Sequence, residues 1–322
     1  METAVDSSGA LRRKRGFGDR AGDGILYGLT AAAAIAAVLL VGAIAWKIVD
    51  GAWPSMRHFG LGFVWSSAWN PVTGQFGALQ FVEGTLVTSG CAVLVAAPLS
   101  IAIGLFLSEL APPAIRGPIG TLVEMLAAIP SVVIGLWGIL MMGPWVAQHL
   151  EPWLSSWLGW LPIFSGGPQQ AGLLPAILVL TIMIIPITSA ICRDLFVSVP
   201  RELEEGALAL GSTRWETVRG VVLSYAKGGV VAAVILGLGR ALGEAIAVTQ
   251  VIGNADRLPT SFFGAGDTLA SRIANQYQGA PSQLQVSSLV YLAVILLAIT
   301  LITNVAAQLI VRRFELQRTG GS

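Results

Sequence analysis

Six stretches of this chain run for 22 residues or more with almost no charge: 25–46, 84–107, 119–146, 171–192, 228–252 and 286–311. At 1.5 Å per residue, each reaches about 33 Å as a helix, enough to cross roughly 30 Å of hydrocarbon. Lipid offers no hydrogen bonds to exposed peptide groups, so blocks this long read as α-helices. Only 11% of the 322 residues are charged, against about 25% in an average soluble protein. The expected fold is therefore all-α, a polytopic membrane protein with six transmembrane helices. The first block is preceded by basic residues, but its apolar core exceeds the 7–15 residues typical of a signal peptide. It reads as an uncleaved anchor. The expected organisation is an N-terminal tail at 1–24, a six-span domain at 25–312 with a loop at 193–227, and a C-terminal tail at 313–322.

Lysine and arginine set the orientation. If the N-terminus is inside, the inner segments hold 14 of the 19: Arg12, Arg13, Lys14, Arg15, Arg20, Arg116, Arg193, Arg201, Arg214, Arg219, Lys227, Arg312, Arg313 and Arg318. The outer segments hold Lys47, Arg57, Arg257 and Arg272, and Arg240 lies within a span. Both termini are thus expected in the cytoplasm. Trp46, Trp53, Trp65, Trp69, Trp145, Trp153, Trp157 and Trp160 flank the outer face, as interfacial tryptophans do. The segment 151–164 is too short to span and is expected along that surface.

Several chemistries find no support. Net charge is +1, which does not suggest nucleic acid. No G-x4-G-K-[ST] phosphate loop occurs, so the chain itself is not expected to hydrolyse ATP. Cys91 and Cys192 lie in apolar runs, and His58 and His149 lack metal-ligand spacing. No nucleophile–base constellation or cofactor motif is visible.

The polar residues inside the spans matter more. Arg240 and Glu244 stand in the middle of the fifth block. An ionisable residue at the bilayer centre costs about 2.5–3.5 kcal/mol on insertion scales and usually marks a transport path. In an unbroken helix, i and i+4 share one face. Gly239 and Gly243 are spaced for close helix contact. Arginine suits oxyanions because its planar fork stays charged. Glu244 either balances Arg240 or accepts a proton-bearing oxygen. Weaker path candidates are Glu124, which faces the bundle or snorkels inward, and Glu83, Thr85, Thr88 and Ser89, which line an entrance or cap a helix. Asp256, Arg257, Asp267 and Arg272 belong to a polar outer loop that either meets a partner or is simply solvated. Pro98, Pro130 and Pro186 fall within spans two to four and mark bends or ordinary packing irregularity.

The loop at 193–227 has its own structure. Pro200 suits a first helical turn, with Glu202, Glu204 and Glu205 at its positive end. Gly211 is placed as a C′ glycine, and Thr213 and Glu216 have capping-box spacing. The pattern predicts helix–turn–helix.

Glu205-Gly206-Ala207-x3-Gly211 resembles the E-A-A-x3-G loop of bacterial ABC-importer permeases, with Gly206 in place of the usual first alanine and Leu223-Ser224 where Leu-Pro is common. GLGRALGEAIAVTQVIGN at 237–254 and LAAIPSVVIGLWG at 126–138 narrow the likeness to permeases of phosphate-specific ABC importers, above all the PstC type. The resemblance implies a type I importer permease in the bacterial inner membrane that moves phosphate inward, with Arg240 and Glu244 on its path. It implies that the loop bearing Glu205, Gly206, Ala207 and Gly211 docks on a separate ATPase. The implied partners are a PstA-like permease, a PstB-like ATPase dimer that carries ATP and Mg, and an extracytoplasmic PstS-like phosphate-binding protein. The rival readings are a permease for sulfate, molybdate or another oxyanion, and a proton-coupled secondary transporter using Glu244.

Overall fold

The computed structural model describes residues 17–257 and 259–319. Arg12, Arg13, Lys14, Arg15 and the rest of 1–16 lie outside the described residues, as do 320–322. The chain divides into two compact units, Met1–Asp50 and Gly51–Ser322. In the first unit, Ile25, Leu26, Leu29, Ile35 and Leu39 are exposed, a side-chain set that suits lipid.

The principal helices are α1 (Phe17–Phe59), α2 (Leu79–Leu110), α3 (Pro113–Ala127), α4 (Ser131–Leu158), α5 (Leu173–Val197), α6 (Arg201–Ala209), α7 (Arg214–Gly243), α8 (Ile246–Val251), α9 (Leu269–Gln276) and α10 (Gln283–Thr319). Six of them, α1, α2, α4, α5, α7 and α10, are long and apolar enough to cross a membrane. The tails expected at 1–24 and 313–322 are partly helical, since α1 begins at Phe17 and α10 continues to Thr319. A small hairpin, β1 (Trp69–Asn70) with β2 (Gln75–Phe76), pairs Trp69 with Phe76.

Two spans differ most from expectation. The third begins only after Pro130: Ala128–Pro130 interrupts the helix, and residues 119–127 belong to the separate helix α3. Pro130 has extended backbone and leads α4 in, as a residue without an N–H can. At its far end α4 does not stop at 146 but runs to Leu158, so Trp153 and Trp157 ride on the span itself. Two widened π turns, Gly138–Met142 and Val146–Leu150, precede Pro144 and Pro152 closely and let the helix continue past prolines that cannot donate. The fifth span starts at Arg214, within the predicted loop, and ends at Gly243, short of 252. Pro98 and Pro186, by contrast, sit within continuous helix.

The core of the second unit is built on α2 against α5, its most extensive helix pairing. Glycine permits that approach: a Cβ at Gly104 would fall 2.9 Å from the Cβ of Cys192. Cys91 and Cys192 are both free thiols. α7 packs on α5, α10 and α2, while α8 packs on α4. α7 has two close glycines: an added Cβ at Gly229 would meet Leu195 at 2.6 Å, and one at Gly237 would meet Ile184 and Thr188 at 2.9 Å. Gly239 and Gly243, the expected contact pair, face open space in this chain apart from Asn304 at 4.0 Å.

Candidate functional site

The fifth span breaks where its charges stand. Arg240 lies in the last turn of α7, favourable for a cation because the helix dipole is negative there. Glu244 has extended backbone (φ −73°, ψ 115°) and ends the helix. After Ala245 the chain turns helical again as α8. The Oε1 atom of Glu244 accepts a hydrogen bond from the Ala247 N–H at 3.2 Å, so the carboxylate satisfies one of the free donors at the start of α8. Arg240 and Glu244 therefore do not share a helix face, and no ion pair joins them. Arg240 is exposed and has no side-chain partner among the described residues; Glu244 is half-buried.

The other end of α8 is tied down as well. Gly253 (φ 91°) and Asn254 (φ 51°) are both left-handed, as a C-terminal cap requires. Asn254 donates Nδ2 to the Thr249 carbonyl at 2.8 Å and accepts from the Ser271 hydroxyl at 3.1 Å. Asn254 was not among the site residues expected from sequence, although Gly-Asn after an apolar run is a recognised stop signal. α8 also lies against the LAAIPSVVIGLWG stretch: an added Cβ at Gly135 would come within 2.7 Å of the Ala247 Cα. The two motifs quoted from the sequence thus pack on one another.

The weaker candidates fall elsewhere. Glu124 neither faces the bundle core nor stands free; it is exposed and pairs with Arg193 at 2.9 Å. Thr85, Thr88 and Ser89 are fully buried within α2. Thr88 and Ser89 hydrogen-bond carbonyls of their own helix, and Thr85 also accepts from the Leu269 N–H at 2.9 Å. They hold structure in this conformation and line no open entrance.

At the opposite end of α7, α6 and α7 form the expected helix–turn–helix. Pro200, expected within the first turn, sits just before α6 with extended backbone. Gly211 has φ 90°; its N–H donates to Leu208 O at 3.0 Å, and Ser212 N–H reaches Ala207 O at 3.1 Å, the paired bonds of a Schellman cap. Thr213 and Glu216 close a reciprocal capping box. Glu205 and Gly206 are exposed and Ala207 is half-buried. Leu210 (91% exposed) and Trp215 (66%) present apolar surface around the turn; Trp215 was not singled out from sequence. Because α7 is continuous from Arg214 to Gly243, one rod links this turn to the break at Glu244.

A buried charge cluster was unforeseen. Arg272 and Asp267, expected in a polar outer loop that meets a partner or is solvated, are 1% and 2% exposed. The Nε of Arg272 lies 2.7 Å from Asp267 Oδ2, an ionic contact without hydrogen-bond alignment, and Arg272 also pairs with Asp256. Its guanidinium lies 4.6 Å from the Phe81 ring centroid and 5.6 Å from that of Trp69, which is buried instead of interfacial. Burial pushes the Asp267 carboxyl up to about 6, with Arg272 pulling the other way. Glu151 is also fully buried, with one carboxylate oxygen accepting from Gln169 N–H at 2.8 Å.

Residues 100–316 match the family of binding-protein-dependent transport system inner membrane components. The chain belongs to that family. It is 48% identical over 286 residues to the phosphate transport system permease protein PstC of Pasteurella multocida, covering 88% of this chain and 89% of that one. To the PstC of Mesorhizobium japonicum it is 42% identical over 302 residues, 92% of each chain. Among solved structures, a bacterial alginate ABC transporter aligns with a TM-score of 0.57 at 19% identity, over 92% of this chain and 99% of that one. A MetNI methionine ABC transporter aligns with a TM-score of 0.56 at 20% identity, over 77% and 99%. At these identities the likeness concerns fold: this is an ABC-importer permease fold in a multi-pass inner-membrane protein.

Proposed function

We propose that this chain is the permease subunit through which an ATP-driven importer moves inorganic phosphate into the cell. The observation that carries the reading is the 48% identity, over nearly the whole chain, to a protein named as a phosphate transport permease. In this reading Arg240 meets the oxyanion. Because Glu244 is engaged in capping α8, the guanidinium is left unneutralised for an incoming anion, whose charge compensates the cost of holding arginine at membrane depth. The Arg214 end of α7 is cytoplasmic, consistent with the distribution of lysine and arginine, and both termini lie on that side. The turn bearing Glu205, Gly206, Ala207 and Gly211 docks on a PstB-like ATPase dimer, which holds ATP and Mg. Movement of the turn reaches the break through the continuous helix α7. A PstA-like permease completes the pathway, and a PstS-like protein delivers phosphate from outside.

Uptake of labelled phosphate into vesicles containing this chain and its co-expressed partners tests the reading. Uptake should require internal ATP and resist excess sulfate. Uptake driven by a proton gradient alone, or preferential uptake of sulfate, would overturn it.

A further inference from the structure

α7 and α10 enclose a groove of about 410 Å³ lined by Ala232, Ile235, Leu236, Asn304, Gln308 and Val311, among others. Its polar side chains both come from α10. Asn304 and Gln308 are exposed at positions i and i+4 of an apolar helix, with no hydrogen-bond partner among the described residues. Bare amides facing hydrocarbon are unfavourable, so polar side chains at this depth face water, protein or a transported solute.

Their placement relates them to Arg240. The Asn304 side-chain oxygen comes within 4.0 Å of where a Cβ on Gly239 would stand, next to Arg240 in the chain. Arg240 lies one turn beyond Leu236, a groove residue, on the same exposed edge of α7. Helical side chains lean toward the N-terminus, so an arginine one turn beyond Leu236 borders the groove's end, although it is not part of the lining itself. α10 runs antiparallel to α7, so Gln308 lies about one turn further from Arg240 than Asn304, roughly 6 Å along the helix. Arginine and two amides then form descending rungs on the side toward Arg214.

We propose that Asn304 and Gln308 are the next contacts of the translocated oxyanion after Arg240. An amide offers N–H donors to oxyanion oxygens and a carbonyl to a protonated oxygen. It adds no charge that would trap the anion as a second arginine would. The proposal rests on the reading of the chain as an oxyanion permease.

The test uses the whole complex in proteoliposomes. Asn304→Leu and Gln308→Leu should each lower the maximal rate of phosphate uptake about tenfold, the effect of losing one transition-state hydrogen bond. Half-saturation by the binding protein and co-purification of all subunits should be unchanged, and Asn304→Ser and Gln308→Asn should restore much of the rate. In a background with Cys91 and Cys192 replaced by alanine, Asn304→Cys and Gln308→Cys should react with a sulfonate-bearing thiol reagent, and phosphate should slow that reaction. Unchanged uptake, or cysteines inert to the charged reagent, would overturn the proposal. Loss of the partner permease on purification would also overturn it, assigning the amides to subunit contact. If the wild-type complex carries sulfate in place of phosphate, the phosphate reading falls, while the same variants assayed with sulfate still decide the rungs.

Discussion

Arg240 and Glu244 are four residues apart in sequence yet serve different helix ends: Arg240 stands in the last turn of α7, whereas Glu244, in the break itself, caps α8. Each charge matches the dipole of its own helix end, which accounts for both without an ion pair between them. Glutamine keeps an oxygen that can accept from Ala247 N–H, whereas alanine does not. Glu244→Ala is therefore expected to cost about 1 kcal/mol of stability, the usual loss for a helix cap, and Glu244→Gln much less. Thermal unfolding of the purified protein in detergent separates the two. If Glu244 also selects protonated phosphate, Glu244→Gln will fold normally yet lose discrimination against sulfate in uptake assays.

Gly211 is the hinge residue of the α6–α7 turn. Its φ of 90° suits glycine, and its N–H is bonded to Leu208 O. Alanine should cost about 1 kcal/mol there. Proline cannot adopt the angle and removes the donor as well. Gly211→Pro should leave membrane insertion intact while abolishing stimulation of the partner ATPase by the loaded binding protein. Normal stimulation would show that the turn does not transmit the signal.

What could be read from the sequence was local or imposed by lipid. The Gly211 cap and the Thr213–Glu216 box depend on residues within one turn, and both formed where the spacing put them. Six spans followed from the demand that lipid makes on backbone hydrogen bonds. The ends of the spans were misplaced because helices do not stop where charge begins: α7 extends past Arg219 and Lys227 to Arg214. The break at Glu244 carries no proline, and the surrounding apolar run conceals it. Burial of Arg272 was invisible for a different reason. Trp69 and Phe81, which cover it, are about 200 residues away in sequence, and only the tertiary fold brings them together.

Arg272 and Asp267 supply a pH-dependent prediction. The Asp267 carboxyl, raised to about 6, lies above the ordinary aspartate value of about 3.9. A raised carboxyl binds its proton more tightly when folded, so its contribution to stability falls as pH rises from about 4 through 6 and is flat above. Asp267→Asn should remove that slope and be tolerated at neutral pH. Arg272→Met leaves buried Asp267 without its cation and should cost about 3–5 kcal/mol at neutral pH, less in acid. Unfolding of both variants between pH 4 and 8 decides the matter; equal losses at every pH would exclude a role for Asp267 ionisation.

Gly84 stands on α2 where the loop before α9 crosses it. An added Cβ would lie 2.0 Å from the Asp267 carbonyl oxygen, a backbone atom held in place by the neighbouring Thr268 and Leu269 bonds. Neither side can yield cheaply, because α2 is pinned to α5 and the loop is anchored by the buried Arg272. Gly84→Ala should therefore force the loop away, at a cost of about 1–3 kcal/mol for overpacking. Gly90, two turns along the same helix, has nothing within 4 Å of its own added Cβ. Gly90→Ala should be neutral or stabilising by about 0.5–1 kcal/mol, since alanine restricts the unfolded chain more than glycine. Thermal unfolding of the two variants side by side checks the contrast. Equal stability would mean that the Gly84 crossing is not the tight contact that holds the loop.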